Sequence, residues 1–327
     1  MPKASFGFAV GNLRAREVTL LKSTDIEQLL GMEGTTAMTA FLRDKGFFTG
    51  SDPDGDIFDM LEAETGRLWE YLLSIVPEKK VFNAFLYLND FHNIKVILKG
   101  TAKDRDYSAL LKQPSTVDVQ DIKTAVTEKR FDLLEGKMRT ATEAAYSAIF
   151  KDGDARLCDA LLDAACMDQQ LKAARQAKIP LLEKIITASV FYANVKVALR
   201  CAAAGLSADF LEKALTDTGV IDKKDLITAA LSGTDSLLER LEGADRLDSS
   251  AAAAAYREGP AEFERFTDNY ILGLARGAKY ITVGGEVAVG YLIAKLREIA
   301  AVRIVASGKK TGQSEAQIRG RLRELYG

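Results

Sequence analysis

A single histidine, His92, in 327 residues leaves no room for a metal site built on two imidazoles. Any Ser-His-Asp arrangement would have to pass through that one side chain. The three cysteines, Cys158, Cys166 and Cys201, are an odd number with no C-x-x-C spacing, and they read as small core hydrophobes of a reducing compartment. Neither charge sign is in excess: 44 Lys and Arg face 46 Asp and Glu, a net charge of −2. That supplies no general attraction to a phosphate backbone and argues against nucleic acid as a partner. Long apolar runs are missing too. The longest uncharged stretch, residues 185–195, is about half of the ~20 residues a spanning helix needs. Residues 1–7 carry one basic side chain and no sustained apolar stretch follows them, so no secretory signal is expected.

Proline is scarce, six in all, and no convincing alternating strand occurs. Abundant Ala, Leu, Glu, Lys and Arg, with apolar positions recurring at three and four residues, predict an all-α chain that is more than two-thirds helical. The most informative pattern is a repeat. Asn93-Ile94-Lys95-Val96-Ile97-Leu98-Lys99-Gly100 returns as Asn194-Val195-Lys196-Val197-Ala198-Leu199-Arg200-Cys201, and in a more divergent form as Ala301-Val302-Arg303-Ile304-Val305-Ala306-Ser307-Gly308. A period near a hundred residues implies three small domains rather than solenoid turns. The boundaries read from it are 1–104, 105–206 and 207–327.

Each copy predicts a central helix. Residues 81–98 are apolar over most of the circumference, with one wet stripe at His92, Lys95 and Lys99. Residues 182–199 place Lys196 and Arg200 on the corresponding stripe, and the two helices begin just after Pro77 and Pro180, where a missing N–H costs nothing. A third helix is expected over 284–305, stopped at Ser307-Gly308. A capping box, Ser314 with Gln317, predicts a last helix that carries Ile318, Leu322 and Leu325.

Motifs for chemistry are weak. Gly308-Lys309-Lys310-Thr311 lacks the Gly and Ser/Thr positions of a phosphate loop and follows a helix rather than a strand. Asp52-Pro53-Asp54-Gly55-Asp56 has its glycine one position early for a calcium loop and Ala63 where a bidentate Glu is needed, so Asp56 is read as a helix cap. Asp152-Gly153-Asp154 reads as a turn, and the run 251–255 as helix. His92 is matched by Ala193 and Ala300 in the other copies and reads as structural. The repeated cation at Lys95, Lys196 and Arg303 is the best candidate for a role beyond packing. It is expected either to pair with a neighbouring acid such as Glu17 or to face a partner, the first being preferred.

The stretch from Gly290 to Ile304, then Gly308-Lys309 and residues 314–326, closely resembles the end of the C subunit of the archaeal and bacterial V/A-type rotary ATPases, called d in the eukaryotic vacuolar enzyme. Residues 90–95 resemble that family's first-repeat motif, 191–196 its second, and Leu13-Arg14-Ala15-Arg16-Glu17 with Leu20 and Leu21 its opening helix. Two positions depart: Val287 stands where the family usually has Pro, and Ala301 where it usually has Asn. The resemblance implies three pseudo-threefold-related helical domains forming a funnel. It also implies a socket without catalytic residues or cofactor, which couples the central stalk, made of the D and F proteins, to the membrane rotor ring of proteolipid c/K subunits. Such a protein would lie peripherally on the cytoplasmic face of the plasma membrane, with no spanning segment of its own, and be monomeric in isolation. A cytosolic helical scaffold is the main alternative, and a helical enzyme using His92 a weaker one.

Overall fold

The computed structural model describes residues 6–50, 55–244 and 246–327. Asp52 and Asp54 of the acidic loop lie outside them. Helix is the dominant regular structure of the described residues, 77% helix with no strand among them. In chain order the helices are α1 (Phe6–Glu17), α2 (Ser23–Gly31), α3 (Gly34–Asp44), α4 (Ile57–Ile75), α5 (Asn83–Lys103), α6 (Val119–Thr127), α7 (Gly136–Phe150) and α8 (Ala155–Ala177). They continue as α9 (Pro180–Ala204), α10 (Ala208–Ala214), α11 (Lys223–Leu231), α12 (Thr234–Glu242), α13 (Ser249–Glu258), α14 (Pro260–Ala275), α15 (Gly285–Lys310) and α16 (Glu315–Arg321).

Local chemistry accounts for many of the ends. Asp56 accepts from the Phe58 N–H and caps α4, and Asp118 and Asp222 do the same for α6 and α11. Pro180 occupies the first turn of α9. The box of Ser314 and Gln317 opens α16. Two ends differ from the sequence reading. α15 does not stop at Ser307-Gly308 but runs on to Lys310, because Gly308 serves packing: a Cβ there would stand 2.4 Å from Ile318 Cγ1. α16 ends at Arg321, and the chain then turns Leu325 and Tyr326 into the interior.

The chain forms two compact units, one made of residues 1–79 with 255–327, the other of 80–254. In the first, α15 runs against α1, α2, α3 and α4. The core there joins Leu29 of α2, Met38 and Leu42 of α3 and Leu61 of α4 to Val302 and Val305 of α15. In the second, α5 packs against α6, α7 and α8, so that Ile94 and Ile97 meet Ile122, Ala145 and Leu162. Both cores have the same composition: two short helices, a long one, and the motif helix. α9 packs against α8, α10, α11 and α12. The aligned residues Ile94, Val195 and Val302 are all fully buried. The boundary read at 104/105 therefore falls inside one core, since α5 shares its interior with the helices that follow it.

α9 is long and apolar enough to cross a bilayer by composition, which the run 185–195 taken alone did not suggest. Most of its apolar stretch, 61%, is buried inside the protein, as in a core helix.

Candidate functional site

The repeated motif does its most specific work through residues that the cation pattern did not single out. On α5, the buried Asn93 donates from Nδ2 to Lys112 O at 2.9 Å and accepts from Lys112 N at 2.8 Å. On α9, Asn194 makes the same two-point contact with Thr216, donating to its carbonyl and accepting from its N–H at 3.1 Å. A carboxamide offers a donor and an acceptor side by side, so each Asn pairs both backbone groups of one residue downstream of its helix, Lys112 after α5 and Thr216 just beyond α10. The recurrence of Asn at this position in two copies was the signal available in the sequence. In the third copy the position is Ala301, which can make no such clamp.

A carboxylate takes over there. Asn93 aligns with Ala301, so Asp90 aligns with Glu298, three residues earlier in each case. Asp90 is fully buried and accepts from Thr116 N at 2.8 Å, from the Thr116 hydroxyl at 2.6 Å and from Val117 N at 3.2 Å. Glu298, 1% exposed, accepts from Leu21 N at 2.5 Å and from Lys295 Nζ at 3.0 Å. Both hold the backbone just ahead of a short helix, α6 or α2. Burial raises the Asp90 pKa against the pull of its Thr116 and Val117 hydrogen bonds. Burial likewise pushes Glu298 up to about 7, opposed by Lys295 and the Leu21 N–H and reinforced by the charge of Glu64. Lys295 stands 3.8 Å from Glu64 and 3.4 Å from the centre of the Phe47 ring. Glu64 in turn accepts from Phe48 N at 3.1 Å and from Arg67 at 2.5 Å.

The three predicted cations fall as follows. Lys95 on α5 forms an ion pair with Asp163 on α8. Arg303 on α15 reaches Glu62 on α4 at 3.5 Å. Glu62 and Asp163 are 101 positions apart, the same offset as Asn93 and Asn194, so these two ion pairs are equivalent features of the repeat. Lys196 lines a groove of about 430 Å³ between α5, α8 and α9, whose floor includes Phe85, Met167, Ile186 and Val190. Asp163, the partner of Lys95, also lines this groove, and Arg303 lies in the other unit. The acid suggested for this position, Glu17, instead pairs with Arg14 at 2.5 Å, one helical turn away on its own helix.

A second cavity, about 420 Å³, lies in the first unit and is lined by Arg16, Glu64, Arg67, Tyr71, Tyr291 and Lys295. Arg16 stacks on the Tyr71 ring at 3.7 Å, and burial pushes the Tyr291 hydroxyl up to about 12. Glu64 binds both Arg67 and Lys295, which makes this a network of mutually satisfied charges. Elsewhere, burial pushes the thiols of Cys158 and Cys166 up to about 11 and about 12, the opposite of an activated nucleophile. His92 donates from Nε2 to Leu110 O at 2.9 Å, tying a loop to α5. What this arrangement does chemically is hold helices in register.

Comparison with known proteins gives a consistent result along the whole chain. The family model described as ATP synthase (C/AC39) subunit matches residues 9–321. The C subunit of the V-type sodium ATPase of Enterococcus hirae is 22% identical, the alignment covering 96% of this chain and 97% of that protein. The C subunit of the A-type ATP synthase of Halobacterium salinarum is 24% identical, with coverage of 98% and 97%.

Proposed function

We propose, since this chain belongs to the ATP synthase (C/AC39) subunit family, that it is a non-catalytic coupling subunit of a V/A-type rotary ATPase. In this reading it is a socket between the D/F central stalk and the membrane rotor ring of c/K subunits, held peripherally on the cytoplasmic face of the membrane. The observation that carries the reading is the end-to-end match, residues 9–321, to a family whose relatives are named as the C subunit of such machines.

The internal chemistry supports a passive mechanical part. A coupler must pass torque without yielding, and here the long helices are tied to the segments around them by the buried groups of Asn93, Asn194, Asp90 and Glu298. The ion pairs of Lys95 and Arg303 add a tie between adjacent long helices in each unit, and these with Lys196 are the positions proposed to register the protein, by internal pairing or by contact with a neighbour. Neither a nucleotide nor a metal cofactor enters the proposal. The purified protein should sediment as a monomer and bind the reconstituted D/F stalk and detergent-solubilised rotor ring, while hydrolysing no ATP by itself. Failure to bind either assembly, or turnover of ATP that survives removal of contaminants, would sink the reading.

A further inference from the structure

We infer that the cavity of the first unit, lined from α1, α4 and α15, is a binding site for a small organic acid, whose carboxylate is taken by Arg16, Tyr71 and Tyr291. These side chains reach the cavity from three different helices, and each brings a hydrogen-bond donor that the protein itself leaves unspent. The Arg16 guanidinium lies over the Tyr71 ring at 3.7 Å and forms no ion pair with any carboxylate among the described residues. The Tyr71 hydroxyl is buried and has no hydrogen-bond partner. Tyr291 is 4% exposed, its oxygen is approached by Arg16, and its proton meets no acceptor among the described residues. Unpaired donors beside one another in a buried wall are disfavoured unless an acceptor joins them.

The rest of the wall decides which acceptor fits. Arg67 is paired with Glu64, and Lys295 stands between Glu64 and Glu298, so both cations are already matched. Glu64 also accepts from Phe48 N, which leaves it little capacity for Arg16 or the tyrosines. Glu70 lines the cavity from an exposed position, and Glu17, next to Arg16 in sequence, pairs with Arg14 instead. Positive and negative groups are thus nearly balanced, and what the wall has in excess is hydrogen-bond donors. A carboxylate suits that excess, since it only accepts, carries one charge and can take the planar fork of an arginine. A phosphate dianion would face Glu64 and Glu70 with no second unmatched cation. The volume, about 420 Å³, is in the range of small-ligand pockets, and Leu68 offers apolar surface to the body of the acid.

The test is calorimetric titration of the full chain with benzoate, with its neutral amide benzamide, and with inorganic phosphate, repeated on Arg16→Gln and Tyr71→Phe. Tyr71→Phe removes a hydroxyl that has no partner, so it should melt with the parent or above it, and a changed affinity then reports the site rather than the fold. The expected result is millimolar or tighter binding of benzoate by the parent, with benzamide and phosphate at least about tenfold weaker. Each substitution should weaken benzoate by about tenfold, the scale of one lost hydrogen bond to a charged group. Benzoate that binds no tighter than benzamide, or equally to parent and both variants, overturns the site. A parent that does not bind benzoate also overturns it. If the D/F stalk then binds the parent and not Arg16→Gln, the arginine serves a carboxylate of a neighbouring protein instead.

Discussion

At the scale of single residues, the two Asn clamps differ in what surrounds them. Thr216 is buried, whereas Lys112 is exposed and water can partly replace its lost partner. Asn194→Ala is therefore expected to cost about 1–3 kcal/mol, the range for stranding buried backbone groups, and Asn93→Ala distinctly less, as read from urea midpoints. Equal losses would show that the clamp's worth does not depend on burial. Glu298 carries a pH signature. Its pKa in the folded protein, about 7, lies above the ordinary 4.5, so folding favours its protonated form. Its contribution is fully present below about 4.5 and is lost as pH rises through about 7. Glu298→Gln should flatten the decline in stability over that window relative to the parent. A parent and variant with parallel stability–pH curves would show that Glu298 is not the group responsible. These residues were only partly legible in advance. A lysine or arginine recurs in all three copies, but the repeated Asn is lost in the third, and Asp90 and Glu298 differ in type and are replaced by Phe191 between them.

At the scale of helices, glycines separate packing from propensity. Gly290 in α15 has Ala278 Cβ at 2.4 Å and Ala275 O at 3.3 Å from where its own Cβ would lie, while Gly66 in α4 has nothing within 4 Å. The same change to alanine should act in opposite directions. Gly290→Ala is expected to cost about 1–3 kcal/mol by overpacking, and Gly66→Ala to gain about 0.4–1 kcal/mol from reduced freedom of the unfolded chain. Thermal melts of the two variants decide it, and a stabilised Gly290→Ala would refute the close approach. The same distinction explains the boundary that sequence misplaced. Ser307-Gly308 has the composition of a helix stop, yet Gly308 is where Ile318 of α16 lies against α15, and Gly100 is similarly pressed by Tyr107 in the aligned position on α5. A glycine chosen for closeness and one chosen for a left-handed turn look identical in a sequence. The caps were legible because their signal is local: Asp56 and Ser314 need only the next three residues.

At the scale of the whole molecule, self-similarity revealed that there were motif helices but not which neighbours each one joins. A repeat looks the same whether its last helix folds back on its own copy or forward onto the next. Here α5 enters the core of α6, α7 and α8, and α15 enters that of α2, α3 and α4. A fragment of residues 80–254 is accordingly expected to fold cooperatively, with native-like helix content by circular dichroism and a single urea transition. A fragment of residues 1–104 should not, because it lacks α15 and keeps α5 without α6 to α8. A folded, cooperative 1–104 would contradict this account of the cores.

The reach of α15 into the core of α2, α3 and α4 also imposes an order of events on the ribosome. The first helices emerge with Leu29, Leu42 and Leu61 uncovered, and their missing wall is encoded beyond residue 254. At translation rates of ~5–20 residues per second, the 175 residues from 80 to 254 take roughly 9–35 seconds to make. For that interval the early helices form an apolar surface in search of a partner, while the 80–254 unit can already close behind them.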